Sequence, residues 1–365
     1  MRSRIERIFR GVPHDVDVIL LQNSLAQHVD MAFFHATDLV SGGGFERSSA
    51  ALHRDGKLDV LVPLLEETSA KRAPEATIET YQRADERKDW IASKLKGRSK
   101  IGIHASELVT QDYLALKDAA GKIELVDVTK ALDDARAVKD KVELGRIRKA
   151  CNIVSEVADM MPTLLRDGMK EYELAADISY QMQKRGATGP SFDTIVAFGE
   201  GSAEPHYAPG DVPLRKGQFV LCDFGAWYHR YASDLTRTWI RAPADKQLRA
   251  IYDKVLEAEE AALAAVKPGV KGGEVHLAAE KVIDASPWKG RFIHSVGHSL
   301  GLAVHDGPAL HPRNADFVLA EGMVITIEPG IYVPGVGGVR IEDDVVVTRE
   351  GYEMLTSAKR DSPVV

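Results

Sequence analysis

The sequence predicts an α/β domain followed by a larger α+β domain. Three observations carry that prediction. At 365 residues the chain exceeds one typical domain and suits two. Its first third alternates short β-branched runs with amphipathic helical segments. Past Leu132 the texture changes to long helices, then to strands punctuated by Gly and Pro. The division is therefore placed after Leu132, giving domains 1–132 and 133–365.

In the first domain, Val16 to Leu21, Lys57 to Pro63, Lys100 to His104 and Ile123 to Val128 read as strands. Helical patterns fall between them, around Ala84 to Lys96 and Ser106 to Ala119. The second domain opens on a long amphipathic helix from Lys139. Its apolar stripe is Ile147, Ala150, Cys151, Val154, Val157, Ala158 and Met161. On that stripe Cys151 reads as core. Tyr172 to Lys184, Ile251 to Val266 and Val275 to Ala285 are also helical, whereas Ser191 onward and Phe292 to Val347 read as strand-rich. A weak internal echo links RDGMKEYEL (Arg166 to Leu174) to KPGVKGGEV (Lys267 to Val275). Gly, Lys and Glu match in register, which suggests a duplicated half-domain.

Composition narrows the function. The formal net charge is -7 and no long Lys/Arg run occurs, which argues against a nucleic-acid partner. Two cysteines, Cys151 and Cys222, exclude a disulfide framework and suit a reducing compartment. The N-terminal stretch is charged and broken by Pro and Asp, and no apolar run approaches the roughly 20 residues that span a bilayer. A cytoplasmic protein without a membrane partner is expected.

The chemistry concentrates in three segments. In QFVLCDFGAWYHRYASDLTRTW (Gln218 to Trp239), two strand-like runs flank a polar and aromatic turn. A turn centred between Tyr228 and His229 would set Asp223 against Asp234, with Thr236 and Thr238 on the face of Asp234. Directly opposite Cβ atoms lie about 5 Å apart. Two carboxylates that close repel, and they need a shared proton or a cation. The segment MVITIEPGIYVPGVGGVRIEDDVVV (Met323 to Val347) repeats the logic. Glu328 and Glu342 sit at equal distances from Gly335, in the turn of a second hairpin. Glu342 lies within a Val/Ile run, where a lone carboxylate is costly. In SVGHSLGLAVHDGP (Ser295 to Pro308), glycines around His298 let the backbone approach a ligand. Taken alone, His206 reads as a surface histidine and His294 as structural. Four carboxylates and one imidazole form a hard, oxygen-rich set that can hold two divalent ions. Mn²⁺ suits it best, with Co²⁺, Zn²⁺ and Fe²⁺ able to bind through the histidine.

The order Asp, Asp, His, Glu, Glu, in the strings CDFGAWYHRYASDLTRT, GHSLGLAVHD, TIEPGIY and GVRIEDDVVV, resembles the pita-bread metallopeptidases. That family includes methionine aminopeptidase, aminopeptidase P, prolidase and the metal-free creatinase. The resemblance covers the C-terminal half, and the N-terminal unit is similar to the cap domain of prolidase and aminopeptidase P. It implies a pita-bread catalytic domain with pseudo-two-fold symmetry and a cytoplasmic homodimer acting on proline-containing peptides. By the same resemblance, Asp223 binds one metal, Asp234 and Glu342 bridge both, and His298 and Glu328 complete the other. Glu328 doubles as general base. His206 and His305 contact substrate and stabilise the tetrahedral intermediate. Arg340 orients Glu342, and Phe192 lines the substrate pocket. The two-domain layout favours an Xaa-Pro dipeptidase. Some prolidases carry an Arg shortly after the second histidine to hold the substrate carboxylate. Here Ala309 occupies that region, with His311 and Arg313 close by. An Xaa-Pro aminopeptidase acting on longer peptides, or a metal-dependent hydrolase of a small amide, is the alternative.

Overall fold

A computed structural model describes residues 1–24, 30–40, 42–73, 75–361 and 363–365. The chain forms two compact units, Met1–Arg136 and Ala137–Val365. The first runs α1 (Arg2–Phe9), β1 (Val18–Gln22), α2 (Met31–Thr37), β2 (Ser49–His53), β3 (Leu58–Pro63), α3 (Glu67–Ala70), β4 (Thr77–Tyr81), α4 (Ala84–Leu95), β5 (Lys100–Ile103), α5 (Thr110–Ala120), β6 (Glu124–Asp127) and α6 (Thr129–Ala137). Leu132, where the sequence texture changes, lies inside α6. The strands form one mixed sheet, ordered β4-β3-β2-β1-β5-β6. Central β1 is buried on both faces, as its continuous apolar run requires. The sequence pattern does not mark β2 or β4. β2 reads SAALH, with no β-branched residue, and becomes a strand because it pairs with β1 on one side and β3 on the other.

The second unit runs α7 (Lys141–Asp159), α8 (Met161–Leu164), α9 (Glu171–Lys184), β7 (Gly189–Pro190), β8 (Ile195–Phe198), β9 (Phe219–Phe224), β10 (Ala226–Tyr228), β11 (Tyr231–Ala232), β12 (Leu235–Ile240), α10 (Lys246–Ala265), α11 (Gly272–Asp284), β13 (Val324–Ile327), β14 (Gly330–Val333), β15 (Gly337–Arg340), β16 (Asp343–Val347) and β17 (Tyr352–Met354). It is built twice over. Asp140 caps α7 and Asp245 caps α10 through side-chain bonds to first-turn amides. In the echoed segments, α9 starts at Glu171 and α11 at the matching Gly272. The residues before those helices bridge to equivalent partners, Lys170 to Pro213 and Lys271 to Val318.

Each half packs its helices on one face of its own sheet. Ile153, Val154, Leu174 and Ile178 meet Val196, Val220, Cys222 and Leu235 in one core. In the other core, Ile251, Val255, Val275 and Ala279 meet Ile325, Ile327, Val345 and Val347. Because strand side chains alternate, the opposite faces carry Asp223, Thr236, Thr326 and Asp344. Hydrogen bonds join those faces: Thr236 donates to Glu342, and the Asp234 N–H donates to Asp344.

The stretch expected to be strand-rich begins its regular strands only at Val324. Residues 292–322 form an extended loop whose Gly, Pro and Asp residues break any ladder. It touches the sheet at single bridges, such as Ser299 to Ile325. Among the described residues, no helix is long and apolar enough to cross a membrane.

One buried ion pair in the first unit makes stability depend on pH. His104 is only 3% exposed. Burial disfavours its charged form, but Asp30 Oδ1, 2.9 Å from Nδ1, outweighs that and holds the pKa above the usual 6.5. A pKa raised on folding stabilises the fold below 6.5, and the contribution is lost as pH rises through the folded value. His104→Gln should therefore destabilise the protein by about 3–5 kcal/mol near pH 6. The gap to wild type should shrink steadily towards pH 9. Thermal melts of both proteins across that range check it, and a gap independent of pH would refute the assignment.

Candidate functional site

The first hairpin turns at His229 and Arg230, both with positive φ. Two left-handed residues match the twist of antiparallel strands, so Tyr228 pairs with Tyr231. The turn falls one residue later than the sequence suggests, and Asp223 lies across from Thr236, not Asp234. A partner shift of two keeps every side chain on its face, so Asp223 and Asp234 still point to the same side. In the second hairpin, the flanking pairs Ile327–Asp343 and Gly330–Arg340 keep one register, which sets Glu328 across from Glu342. The loop carrying His298 is held against β13 by the bond from the His298 N–H to Thr326 Oγ1. Gly297 permits this closeness, because a Cβ there would stand 1.9 Å from the Thr326 carbonyl oxygen.

These three segments converge. Ligand atoms of Asp234, His298 and Glu342 all lie within 4.8 Å of one another, and all three residues are buried. His298 Nε2 lies 3.5 Å from Glu328 Oε1 and 3.6 Å from Asp234 Oδ2. Asp223 joins through Arg340, whose guanidinium donates to Asp223 Oδ2, Thr236 Oγ1 and Tyr332 Oη. Arg340 thus orients Asp223 directly and reaches Glu342 only through Thr236. The Thr236 hydroxyl accepts from Arg340 Nε at 3.0 Å and donates to Glu342 Oε2 at 2.7 Å.

His206 and His305 are both exposed and lie on loops. The His305 ring sits edge-on to His298, with centroids 4.2 Å apart. Burial lowers the pKa of His305, and the nearby His206 adds to that. The segment carrying Phe192 is pinned beside the two aspartates. Ser191 Oγ donates to the Ser233 carbonyl, and the Ser191 N–H donates to that of Gly225. His311 turns onto His276, with centroids 4.7 Å apart, and its Nδ1 accepts the Arg313 N–H.

Sequence reasoning missed Thr236, Tyr332 and Asp344, and set His294 aside. Tyr332 Oη accepts from Arg340 and lies 2.8 Å from His294 Nε2, while His294 Nδ1 is 2.8 Å from the Ser295 carbonyl. A carbonyl can only accept, so Nδ1 carries the hydrogen and Tyr332 donates to Nε2. Asp344 Oδ2 takes the Asp234 N–H and also the Cys151 thiol, so Cys151 does more than fill core. The available signal was the acidic pair Asp343 and Asp344 inside an apolar run, together with threonines on the carboxylate face.

The electrostatics say what the cluster needs. Burial drives the pKa of Asp234 and Glu342 well above the carboxylate range, and the neighbouring carboxylates add to it. Burial also pushes Glu328 up to about 7. His298 is pushed down to about 3 by burial and by His305, so it is neutral. Its Nδ1 faces the Ser299 carbonyl at 3.2 Å, which leaves the Nε2 lone pair aimed at carboxylate oxygens. Asp223 Oδ1 and Glu342 Oε1 are buried without a hydrogen-bond partner. Lone pairs facing lone pairs and unpartnered buried oxygens are the donor set of a divalent cation, and this set fits one.

Comparison with known proteins agrees with this geometry. The family model described as metallopeptidase family M24 matches residues 145–349, and that of the creatinase/prolidase N-terminal domain matches residues 26–138. An Xaa-Pro dipeptidase of Pyrococcus horikoshii is 38% identical over 364 residues, 99% of each chain. The solved Xaa-Pro dipeptidase from Bacillus anthracis is 31% identical with a TM-score of 0.90, covering 100% of this chain and 99% of its own. The X-Pro aminopeptidase from Thermotoga maritima is also 31% identical, with a TM-score of 0.87, covering 96% of this chain and 98% of its own.

The Thr236 relay gives a direct test of the donor set. Thr236→Val removes the hydroxyl between Arg340 and Glu342, and should weaken Mn²⁺ binding about 10–100-fold. Thr236→Ser should restore it. Isothermal titration of the chelated proteins measures both, and unchanged affinity in the valine variant would remove Thr236 from the site.

Proposed function

The chain belongs to metallopeptidase family M24, and we propose that it hydrolyses the Xaa-Pro bond of dipeptides with two divalent ions held by Asp223, Asp234, His298, Glu328 and Glu342. One observation carries the reading: the buried meeting of Asp234, His298 and Glu342, in a chain alike over its full length to Xaa-Pro dipeptidases. Mn²⁺ is the ion expected from the oxygen-rich donors.

Bound divalent ions supply charge compensation, acidify a water and polarise the scissile carbonyl. The remaining work falls to the chain. Asp234 and Glu342 would help to hold the ions, and the Asp344 and Thr236 bonds keep them in place. Asp223 is fixed by Arg340. Glu328 takes the proton of the attacking water, and its buried setting beside Thr326 Oγ1 suits a base. His206 and His305 border the site from solvent-facing loops, where their N–H groups can donate to the oxyanion as the carbonyl becomes tetrahedral. Phe192 offers an apolar wall for the substrate. An Xaa-Pro amide lacks an N–H and has a fixed φ, so its recognition depends on shape and on the two ends of the dipeptide.

A second reading has its own support. Ala309 supplies no cation for a substrate carboxylate, and His311 is committed to His276 and Arg313. With the likeness to an X-Pro aminopeptidase, this favours longer peptides as the alternative substrates.

Two assays test the base and the substrate class. Glu328→Gln should lower kcat by about 10²–10⁴-fold while the melting temperature stays near that of wild type. Near wild-type turnover would remove Glu328 as the base. If the enzyme reads a free carboxylate, Met-Pro should exceed its C-terminal amide in kcat/KM by about 2–5 kcal/mol. Equal cleavage of both would replace the dipeptidase reading with the aminopeptidase one.

A further inference from the structure

A buried carboxylate lies outside the cluster just described. Glu171, the first residue of α9, is 0% exposed. It is fully engaged: Oε1 accepts the Phe198 N–H at 2.8 Å, and Oε2 accepts Tyr207 Oη at 2.9 Å and the Gly210 N–H at 2.9 Å. Tyr207 and Gly210 belong to the loop that carries His206. Phe198 ends β8, which pairs with β9 and sets Ile195 across from Asp223. One carboxylate thus ties the His206 loop to the sheet that presents Asp223. A fourth bond, from the Tyr172 N–H to the Gly210 carbonyl, closes the same junction.

The duplication shows that the half-domain does not require this carboxylate. The second copy has Gly272 at the matching position, where a Cβ would stand 2.9 Å from the Phe317 ring and 3.3 Å from Leu310 Cα. There the helix start packs directly on the loop. In the first copy the loop is joined to the helix start through the Glu171 side chain and the Tyr172 N–H. The offset that relates Leu214 to Leu319 puts His311 in the place of His206, and His311 is packed on His276. His206, in contrast, is exposed and close enough to His294 and His305 to shift both. The asymmetric carboxylate therefore coincides with the histidine that lies near His294 and His305.

We propose that Glu171 is a positioning residue that holds His206 in its working place through Tyr207 and Gly210. This rests on the peptidase reading of His206 given above. A carboxylate suits the task because it accepts from three donors at once, whereas a carboxamide would turn an N–H towards at least one of them. Tyr207 stays a donor, since burial and the bond to Glu171 raise its pKa to about 12.

The test is a double-mutant cycle on the Mn²⁺-reconstituted full chain with Met-Pro as substrate. His206→Ala should lower kcat/KM about 10²-fold, as loss of an oxyanion donor does. Glu171→Gln and Tyr207→Phe should each lower kcat about 3–30-fold, with KM and Mn²⁺ affinity unchanged, because the lost interaction belongs to the transition state. Adding either change to His206→Ala should cost less than about 2-fold more. If Glu171→Gln does not fold, Tyr207→Phe carries the same comparison. His206→Ala at wild-type rates would overturn the peptidase reading of His206, and this proposal with it. A damaged His206→Ala with silent or fully multiplicative partner variants would overturn the positioning role alone.

Discussion

The structure of the second unit turns on mutual repulsion among buried carboxylates. Asp223, Asp234, Glu328 and Glu342 gather on the facing sides of two half-sheets, and Arg340 is the cation that reaches Asp223 directly. Removing a carboxylate from water without compensation costs several kcal/mol per ion. The surrounding arrangement reduces that cost by degrees. Thr236 polarises Glu342, Asp344 fixes the backbone of Asp234, and burial keeps His298 neutral with its lone pair facing inward. Asp223 Oδ1 and Glu342 Oε1 stay without a hydrogen-bond partner, and these oxygens suit a cation.

Duplication explains how such a cluster is assembled. Each half supplies two long helices, two small sheets and one hairpin that carries two acids. The helix-covered faces bury the two apolar cores, and the polar faces meet. The copies diverge at the residues proposed to handle the substrate. Glu171 stands against Gly272, and an exposed His206 stands against a packed His311. The loop of residues 292–322 adds His298 and His305 from one side only.

Much of this was legible in the sequence, for physical reasons. Carboxylates within Val/Ile runs are improbable unless partnered, so Glu342 announced itself. The Gly335 midpoint gave the register of its hairpin, because that turn is built from Pro and Gly. The first hairpin was read one residue early, since its turn places two non-glycine residues, His229 and Arg230, in the uncommon left-handed region. Strand β2 was invisible because its alanines gain strand character only from their neighbours. The relay through Arg340, Thr236 and Tyr332 depends on contacts between hairpins, and local pattern does not encode these.

The central claim is that the buried acids are a metal site and that its occupancy is the catalytic state. Stepwise return of Mn²⁺ to chelated protein tests it, with bound ion and Met-Pro hydrolysis followed in the same samples. The account predicts no turnover in the metal-free chain, and activity that rises only as two ions per chain are taken up. Full hydrolysis by protein shown by elemental analysis to be metal-free would contradict it.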